Sequence, residues 1–322
     1  MKNKETTKDR QEVLKDLTEQ LEKSIQDFME SEKYKAFLSS MAKFHNYSLN
    51  NQILIAVQKP DSTLCAGYTT WQKQNRYVKK GEKGIQIICP VPYKKEYLKD
   101  VIDKTTGKPE LLPDGKAKQE IVQKVIPFFK VGYVYDISQT DGQPLPEVTH
   151  RLKGDLDSDL KRLKESLLEV SPVPVTFQPI EGSANGFYSP AAGEIVVDST
   201  LSEKQSLKTL IHETAHALLH NPEASSSQST RETKEVEAES VAYVVCQYFD
   251  LDTSDYSFGY IAGWSSGKGT PELKASLENI RNTSNEIISN VEQILTKERP
   301  WNRLSPRSCQ RFTEGGVCKW MR

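Results

Sequence analysis

Apolar residues recur at three- and four-residue steps through the first part of the chain. One such set consists of Leu14, Leu17, Leu21, Ile25 and Phe28, and another runs from Phe37 to Leu54. This spacing places each set on one face of a helix, and Pro60 ends the region. The pattern therefore predicts helices over residues 11–58.

Beyond Pro60 the apolar spacing shortens to the alternation that is typical of strands. A short helix is predicted from Thr70 to Tyr77, followed by a glycine turn in KKGEKG (79–84). Apolar and β-branched residues then predict two strands, IQIICPVPY (85–93) and FFKVGYVYDISQT (128–140). The turn signals DKTTGK and LPDGK lie between them, so a hairpin excursion is predicted over residues 94–126.

The second half of the chain has a different order of elements. DGQPLPEVTH (141–150) contains two prolines and no period, which indicates a linker. After it the pattern predicts a helix around Leu160, a strand at 173–180, a hairpin at 186–198 and helices at 203–220, 232–249 and 271–297. The predicted fold class is therefore α+β, with an amino-terminal α+β module at 10–140, a second domain at 151–299 and a basic tail at 300–322 that is expected to lack regular structure.

Charge is distributed unevenly between these parts. Residues 1–140 contain 24 Lys+Arg and 18 Asp+Glu, whereas residues 141–299 contain 14 and 25. A basic surface attracts polyanions and an acidic one repels them. Any nucleic-acid partner is therefore expected at the amino-terminal module.

Cysteine usage and the amino terminus indicate the compartment. The five cysteines form no CxxC pair, which favours reduced thiols over a disulfide framework. The segment MKNKETTKDRQEVL is charged throughout and lacks the apolar core of a signal peptide. No run approaches the length of a membrane span. These features predict a cytoplasmic protein with no membrane partner.

Two histidines and a glutamate interrupt the apolar helix LKTLIHETAHALLH (207–220). Positions four apart lie on one helix face, so His212 and His216 project side by side and can share one cation. Zinc accepts imidazole nitrogen, and catalytic zinc sites leave one of four positions to water. Glu213 lies about 100° further around the axis, where its carboxylate can act as general base toward that water. The spacing therefore predicts a zinc site for amide hydrolysis with Glu213 as the catalytic residue.

The alternative interpretation is an ordinary amphipathic helix with a leucine-rich core face. Buried histidines and a buried glutamate without a metal would then leave polar groups unsatisfied, which costs free energy. The metal interpretation is therefore preferred.

A third protein ligand is expected from the next helix, RETKEVEAESVAYVVCQYF (231–249). Glu235 and Glu239 lie one turn apart, whereas Glu237 points nearly the opposite way from both. One member of such a pair can ligate the metal while the other orients an imidazole ligand. We assign Glu235 as the ligand and Glu239 as the orienting carboxylate, although the residues alone leave the choice between the two open.

Three further residues near this cluster have roles that the sequence leaves open. His220 follows His216 by one more turn, but the helix is predicted to end at Asn221, so His220 is taken as a neighbour of the site. Tyr188 and Tyr243 are possible hydrogen-bond donors to an oxyanion, although tyrosines at such positions more often belong to the core.

A basic stretch with interleaved aromatic residues lies in the amino-terminal module. Residues 71–95 contain seven Lys+Arg, including Lys94 and Lys95, and one acid, Glu82. Cations neutralise phosphates and unpaired bases stack on aromatic rings, which favours single-stranded DNA because no recognition helix or zinc finger is visible. The alternative is a solvated charged loop over a core. The candidate DNA-binding residues are Tyr68, Trp71, Lys73, Arg76, Tyr77, Lys79, Lys80 and Lys83.

Two segments of the second domain carry a resemblance to known metallopeptidases. HETAHALLH followed by EVEAESVAY resembles the minimal zincins of the ImmA/IrrE group, which have a gluzincin-type core, and still more the carboxy-terminal domain of ArdC-type antirestriction proteins. The resemblance covers roughly residues 150–250. It implies a zinc metallopeptidase with Glu235 as third ligand and an unknown protein or peptide as substrate.

The amino-terminal module carries a second resemblance to the same family. NYSLNNQILIAVQKP, GYTTWQ, VKKGEKG and VYDISQT, in this order, closely resemble the amino-terminal domain of ArdC-type proteins over about residues 10–140. This resemblance implies a single-stranded DNA-binding module and a role in antirestriction during mobile-element transfer. Two alternatives stay open, a regulatory zinc protease that cleaves a repressor and a non-catalytic DNA-protecting binder with a structural metal.

Overall fold

The computed structural model of the protein describes residues 7–102, 107–145, 156–221 and 229–297. Contacts divide the chain into two compact units, one containing residues 88–132 and the other joining residues 15–87 to residues 133–310. The described chain contains both helices and strands in separate runs, which confirms the α+β fold class. The predicted tail and residues 146–150 of the predicted linker lie outside the described residues.

Three helices open the described chain, as the apolar spacing predicts. They are α1 (Thr7–Asp27), α2 (Ser31–Lys43) and α3 (Leu49–Gln58). Of the apolar set predicted to share one face, Leu17, Leu21 and Ile25 are buried, and Leu14 and Phe28 are half-buried. Each fully buried leucine or isoleucine contributes about 1.5–3 kcal/mol, so these faces hold the helices in the core.

The next helix, α4 (Tyr68–Lys73), differs from the helix predicted at Thr70–Tyr77. Residues Arg76–Val78 form strand β2 instead, which pairs antiparallel with β5 (Thr140–Gly142). The Arg76 guanidinium donates to Thr140 Oγ1 at 2.9 Å and to the Gln143 carbonyl at 2.6 Å. The prediction was wrong here because pairing with residues more than sixty positions away overrides the local helical preference.

A second sheet contains β1 (Cys65–Gly67), β3 (Ile85–Asp100) and β4 (Gln119–Asp136) in the order β1-β4-β3. The outer parts of β3 and β4 form the smaller unit, with bridges Ile102↔Pro109 and Leu111↔Ala117 near its tip. These elements confirm the hairpin excursion predicted at residues 94–126. Its apolar side chains are unusually open to solvent, among them Leu98, Leu111 and Ile121.

The carboxy-terminal half contains a third sheet and five described helices. The strands are β6 (Val175–Gln178), β7 (Gly186–Ser189) and β8 (Glu194–Asp198), and the helices are α5 (Leu156–Val170), α6 (Glu203–Leu219), α7 (Arg231–Tyr248), α8 (Ile261–Ser265) and α9 (Thr270–Lys297). In the order β6-β8-β7, β6 runs parallel and β7 antiparallel to β8. The predicted hairpin at 186–198 is confirmed, whereas α8 was not predicted.

Helix α7 is central to the larger unit. It packs against α6, α9 and the amino-terminal helix α2. The Tyr34 hydroxyl of α2 lies 2.8 Å from Ser240 Oγ of α7, and both residues are buried. The helix that carries the predicted glutamate ligand is therefore fixed from several sides. Within the described part of the chain, every helix is too short or too polar to cross a membrane.

Candidate metal centre and nucleic-acid surface

Two capped helices hold the predicted metal ligands. Ser202 caps α6 by accepting a hydrogen bond from the Gln205 backbone N–H, and Thr230 caps α7 by accepting one from the Thr233 backbone N–H. Such caps satisfy backbone donors that the first turn leaves free and so fix where each helix begins. The register of both helices then determines which side chains face each other.

The structure brings the side chains of His212, His216 and Glu235 together. The two Nε2 atoms are 3.1 Å apart, and Glu235 Oε2 lies 3.8 Å from that of His212 and 3.5 Å from that of His216. Ligands at about 2.0–2.2 Å from a tetrahedral ion are about 3.3–3.6 Å apart, so two nitrogens and one oxygen at these separations fit one zinc-sized ion. A search of the described residues for three or more His, Cys, Asp or Glu side chains close enough to share a metal ion finds these three.

The three side chains of the cluster differ in how far they are exposed to solvent. Glu235 is 52% exposed, His212 26% and His216 14%, so the cluster opens to solvent on the Glu235 side. Hydrogen bonds to His212 and His216 hold the pKa of Glu235 well below its ordinary value. Burial acts to lower the pKa of His212, but the Glu235 hydrogen bond and the nearby carboxylates outweigh it and the pKa is raised. Glu235 therefore attracts the two imidazoles even without an ion.

Glu213 lies beside this cluster and is only 7% exposed. Burial raises its pKa, although His212, His216 and the Tyr188 backbone N–H all act to lower it. A raised pKa makes the carboxylate a better proton acceptor than an exposed glutamate.

The contact between strand β7 and helix α6 places the Tyr188 backbone beside Glu213. At Gly186, a Cβ atom would lie 2.6 Å from Thr209 Cγ2 and 2.9 Å from the Val196 carbonyl oxygen. Both distances are shorter than real contacts allow. Only glycine therefore lets the strand approach the helix this closely.

Glu239, the predicted orienting carboxylate, accepts a hydrogen bond from the Tyr260 hydroxyl. Burial raises the pKa of Glu239, and Glu235 raises it further. Burial and the Glu239 contact also raise the pKa of the Tyr260 hydroxyl. Sequence reasoning missed Tyr260 because it lies in an aperiodic segment 21 residues from its partner. Its position makes it a candidate donor at the open side of the cluster.

The two tyrosines considered as oxyanion donors occupy different surroundings. Tyr243 is 2% exposed, and its hydroxyl lies 2.8 Å from Ser39 Oγ, so it belongs to the core between α2 and α7. Tyr188 contributes its backbone N–H to Glu213.

The residues predicted to bind DNA also differ in what their side chains do. Tyr68 and Tyr77 are 49% and 57% exposed, and Lys73, Lys80 and Lys83 are exposed as well. Trp71 is 2% exposed, and its indole donates to the Tyr135 carbonyl at 2.9 Å.

Two of the predicted cations already bind neighbouring parts of the protein. The Arg76 guanidinium binds Thr140 and Gln143, as described above, and the Lys79 ammonium donates to the Ser138 carbonyl at 2.9 Å. Trp71 and Arg76 thus support the fold of this region, whereas Tyr68, Tyr77, Lys73, Lys80 and Lys83 face solvent. Lys79 is exposed as well, but its ammonium is already hydrogen-bonded to the Ser138 carbonyl.

The lysine loop at 79–84 is clamped by the segment that follows β4. Gln139 donates from Nε2 to the Lys83 carbonyl at 2.8 Å and to Glu82 Oε2 at 2.9 Å, and its carbonyl accepts from the Lys79 backbone N–H. Asp136 accepts backbone hydrogen bonds from Thr63 and Leu64 at 2.7 and 3.0 Å. The motifs VKKGEKG and VYDISQT are therefore joined in space.

Two aromatic residues that sequence reasoning missed lie against this loop. Tyr133 is 50% exposed, and the Tyr135 ring lies 6.5 Å from the Tyr68 ring in an edge-to-face arrangement. A Cβ atom at Gly84 would lie 3.0 Å from Tyr133 Cβ and 3.1 Å from Tyr135 Cζ, so glycine permits this close approach. We call Tyr68, Tyr133, Tyr135, Lys80 and Lys83 the tyrosine–lysine surface. Alternation along β4 placed both new tyrosines on one face and was the signal that could have found them.

Comparison with known proteins shows two family matches that do not overlap. The N-terminal domain of anti-restriction factor ArdC matches residues 7–135, and the IrrE N-terminal-like domain, a peptidase family, matches residues 168–278. The first match contains the tyrosine–lysine surface. The second contains His212, Glu213, His216, Glu235 and Glu239.

Individual relatives were also found. An uncharacterized protein of Bacillus anthracis is 29% identical over 336 residues, which cover 94% of this chain and 56% of that protein. The chain thus spans little more than half the length of this curated relative. Crystal structures of the antirestriction ArdC protein from plasmid R388, metal-free and Mn(II)-bound, cover 80% and 79% of this chain and 87% and 86% of theirs, at 21% and 18% identity and a TM-score of 0.43 each. By its two matched domains and their order, the chain is similar to ArdC-type antirestriction proteins, because a match to the ArdC amino-terminal domain is followed by a match to the IrrE-like peptidase domain.

Proposed function

We propose that this protein binds single-stranded DNA and carries a zinc-dependent peptidase site, and that it protects DNA of a mobile element against restriction in the cytoplasm. The observation that carries the proposal is the convergence of ligand atoms of His212, His216 and Glu235 within 4.8 Å, beside the buried carboxylate of Glu213. The substrate is a protein or peptide whose identity the fold leaves open.

His212, His216 and Glu235 are the residues that would hold the ion. Two imidazoles and one carboxylate with an open side are a donor set of catalytic zinc sites, which supports zinc over harder cations that prefer oxygen ligands. When bound, the ion supplies Lewis-acid activation of water and of a substrate carbonyl. The open side at Glu235 is where solvent and substrate enter.

Glu213 carries out the proton transfers in this proposal. Its carboxylate takes the proton from the attacking water and then delivers it to the amine that leaves when the peptide C–N bond breaks. Burial raises the pKa of Glu213, which makes its carboxylate a stronger base toward water than an exposed glutamate.

Strand β7 supports a peptide as the substrate. It lies at one edge of the sheet β6-β8-β7, and its Tyr188 backbone adjoins Glu213. An extended peptide can pair with such an edge through main-chain hydrogen bonds and thereby lie beside the carboxylate.

The tyrosine–lysine surface supports single-stranded DNA as the other partner. Tyr68 and Tyr133 are each about half exposed, and the clamped loop presents Lys80 and Lys83 beside them. Each base stacked on an aromatic ring contributes about 1–3 kcal/mol, and lysines neutralise the backbone phosphates. Loop and rings are held by the fold, so little ordering is required on binding.

The peptidase proposal is tested with zinc analysis and peptide cleavage on the same samples. Wild-type protein and Glu213→Gln are each incubated with a proteome-derived peptide mixture, and new termini are quantified by mass spectrometry. We expect one zinc per chain in both proteins and cleavage reduced by about 10²–10⁴-fold in the variant, the range that a general base contributes.

Three outcomes would contradict parts of this proposal. Loss of zinc from Glu213→Gln would contradict its assignment as base rather than ligand. Stoichiometric zinc in a wild-type protein that cleaves nothing would give the metal a structural role in a DNA-protecting binder. Cleavage that rises when a single-stranded oligonucleotide is added would instead favour a regulatory protease.

A further inference from the structure

A series of buried and part-buried hydrogen bonds leads from the proposed metal ligand His216 through the interior to Asn279 at the surface. His216 Nδ1 lies 3.0 Å from His220 Nδ1, and His220 Nε2 lies 3.3 Å from Glu237 Oε2. Asn279 of α9 donates from Nδ2 to Glu237 Oε1 at 3.1 Å. This series of hydrogen bonds therefore runs from α6 to α7 to α9. It begins at Nδ1 of His216, the imidazole nitrogen that faces away from Glu235.

Burial shows that the middle of this series, His220 and Glu237, is part of the core. His220 is 7% and Glu237 3% exposed. Among the described residues, no lysine or arginine forms an ion pair with Glu237, whose carboxylate contacts His220 and Asn279. A buried carboxylate without a cation costs free energy unless hydrogen bonds and a nearby positive charge compensate for the lost hydration.

The donor and acceptor roles in the chain follow from metal binding. If His216 Nε2 faces the ion, its proton is on Nδ1, which must then donate to His220 Nδ1. His220 accepts at Nδ1 and consequently carries its own proton on Nε2, from which it donates to Glu237. Every group then has a partner of the opposite kind, with Asn279 donating to the second carboxylate oxygen.

We propose that His220, Glu237 and Asn279 are positioning residues, and that their hydrogen-bonded relay fixes His216 in the Nδ1–H tautomer with Nε2 directed at the metal. The inference rests on the proposed metal site and adds to it the source of the ligand's orientation. The negative charge of Glu237, passed through His220, also makes His216 a stronger donor to the ion. Glu237 thus acts at a distance on the ligand that lies farthest from solvent.

The competing arrangement reverses the first hydrogen bond. With both nitrogens of His220 protonated, His220 and Glu237 would form a closed buried ion pair, and His216 would accept at Nδ1. The proton of His216 would then lie on Nε2, where it blocks metal coordination. The two arrangements differ in the protonation of two imidazoles, which can be measured directly.

The first experiment measures Zn(II) affinity by competition with a chromophoric chelator. We expect Glu237→Gln and His220→Ala to bind Zn(II) about 10–100-fold more weakly than the wild type, the usual cost of losing a partner that orients a metal ligand. Ser240→Ala is the matched control, because it removes a buried hydrogen bond from the same helix, to Tyr34, without touching the relay. It should lower the melting temperature and leave Zn(II) affinity within twofold of the wild type.

A second measurement separates positioning from general destabilisation. Long-range ¹H–¹⁵N spectra of the Zn(II)-loaded wild type, labelled at histidine, report which imidazole nitrogens carry protons. We expect His216 protonated at Nδ1 and His220 protonated at Nε2 alone. If Glu237→Gln does not fold, Asn279→Ala, which removes the last donor at a more exposed position, should still weaken Zn(II) binding, by less than the other variants.

Three results would overturn the relay. The first is a folded Glu237→Gln variant with wild-type Zn(II) affinity, and the second is a doubly protonated His220 in the Zn(II)-loaded protein. The third is a loss of Zn(II) affinity in Ser240→Ala that equals the loss in Glu237→Gln. In each of these cases the wild type still binds Zn(II), so the metal site stands while the relay fails. A wild type that binds no Zn(II) would remove both, and that result is separately visible in the same titration.

Discussion

The metal cluster and the tyrosine–lysine surface organise polar groups in opposite ways. Around the cluster of His212, His216 and Glu235, histidines and carboxylates on two adjacent helices contact one another, and all of them except the exposed Glu235 are buried or half-buried. At the tyrosine–lysine surface, the groups that face solvent are held in place by others that do not, such as Trp71 and Gln139. In the first region most polar side chains have partners within the protein, whereas in the second several of them face solvent.

This difference determines how each site should respond to substitution. Removing one member of a buried, mutually paired cluster leaves another member unsatisfied, so effects should be large and nearly all-or-none. Removing one exposed side chain from the tyrosine–lysine surface leaves the remaining contacts intact, so effects should be graded and should depend on salt.

The largest effect is expected from Glu235→Gln, compared with Glu239→Gln. Glu235 lies 3.5 Å from His216 Nε2, whereas Glu239 binds the Tyr260 hydroxyl, so only the first substitution removes a ligand oxygen from the cluster. We expect Zn(II) affinity to fall by more than about 100-fold in Glu235→Gln and by less than about 10-fold in Glu239→Gln. Chelator competition measures both, and the reverse order would make Glu239 the ligand.

A large effect on stability is expected from Asp136→Asn, beneath the tyrosine–lysine surface. Burial acts to raise the pKa of Asp136, but hydrogen bonds from Ser138, Thr63 and Leu64 outweigh it and the pKa is lowered. Hydrogen bonds to a charged group contribute about 1.5–3 kcal/mol, which the amide would partly lose.

The lowered pKa of Asp136 also gives this stability a pH dependence. A carboxylate with a lowered folded-state pKa stabilises the fold above its unfolded-state value of about 3.9, and this contribution is lost as the pH falls through the folded-state pKa. The difference in unfolding free energy between wild type and Asp136→Asn, measured by urea denaturation, should therefore be full at pH 7 and shrink below about pH 4. A difference that is constant from pH 7 to pH 3 would contradict this.

An intermediate effect on DNA binding is expected from Tyr68→Ala and Tyr133→Ala. Each removes a half-exposed ring, and loss of one stacked base weakens binding by about 1–3 kcal/mol. Fluorescence anisotropy with a labelled oligo-dT measures the affinity. Trp71→Phe is the control from the same stretch of sequence, since Trp71 is buried and should affect unfolding rather than binding. Unchanged affinity in both tyrosine variants would remove the surface from the proposal.

The smallest effect is expected from Lys80→Gln and Lys83→Gln. For a single strand, each lost phosphate contact reduces the slope of log affinity against log salt by about 0.7. Lys79→Gln is the matched control in the same loop, because its ammonium already binds the Ser138 carbonyl and should contribute less to the slope. Wild-type slopes in both Lys80→Gln and Lys83→Gln would mean that these two lysines do not contact phosphates.

Local periodicity was sufficient for much of the fold. The 186–198 hairpin and helices α6, α7 and α9 were predicted within one or a few residues, because each has a repeating apolar face or a turn signal. The helical region at 11–58 was also predicted, but its division into three helices was not. Helix α4 and strand β2 were predicted less well. Their boundaries depend on pairing with Thr140–Gly142, which no local pattern reveals.

The same limit applies to the candidate residues. His212 and His216 are one helical turn apart, so helix geometry alone predicts that they meet, and the structure places them 3.1 Å apart. Tyr260 binds Glu239, 21 residues away, and Glu237 binds His220, 17 residues away. Sequence reasoning expected Glu237 to point away from Glu235 and Glu239, and so it did not pair it with His220.

The sequence by itself determined which chemistry this protein contains, because spacing along one helix fixes which side chains share a face. It also determined that a lysine-rich loop adjoins a stretch rich in aromatic residues. Only the tertiary structure decided which of these side chains are buried, which are exposed and which bind each other. Those properties depend on packing between distant segments, and local backbone geometry does not encode that packing.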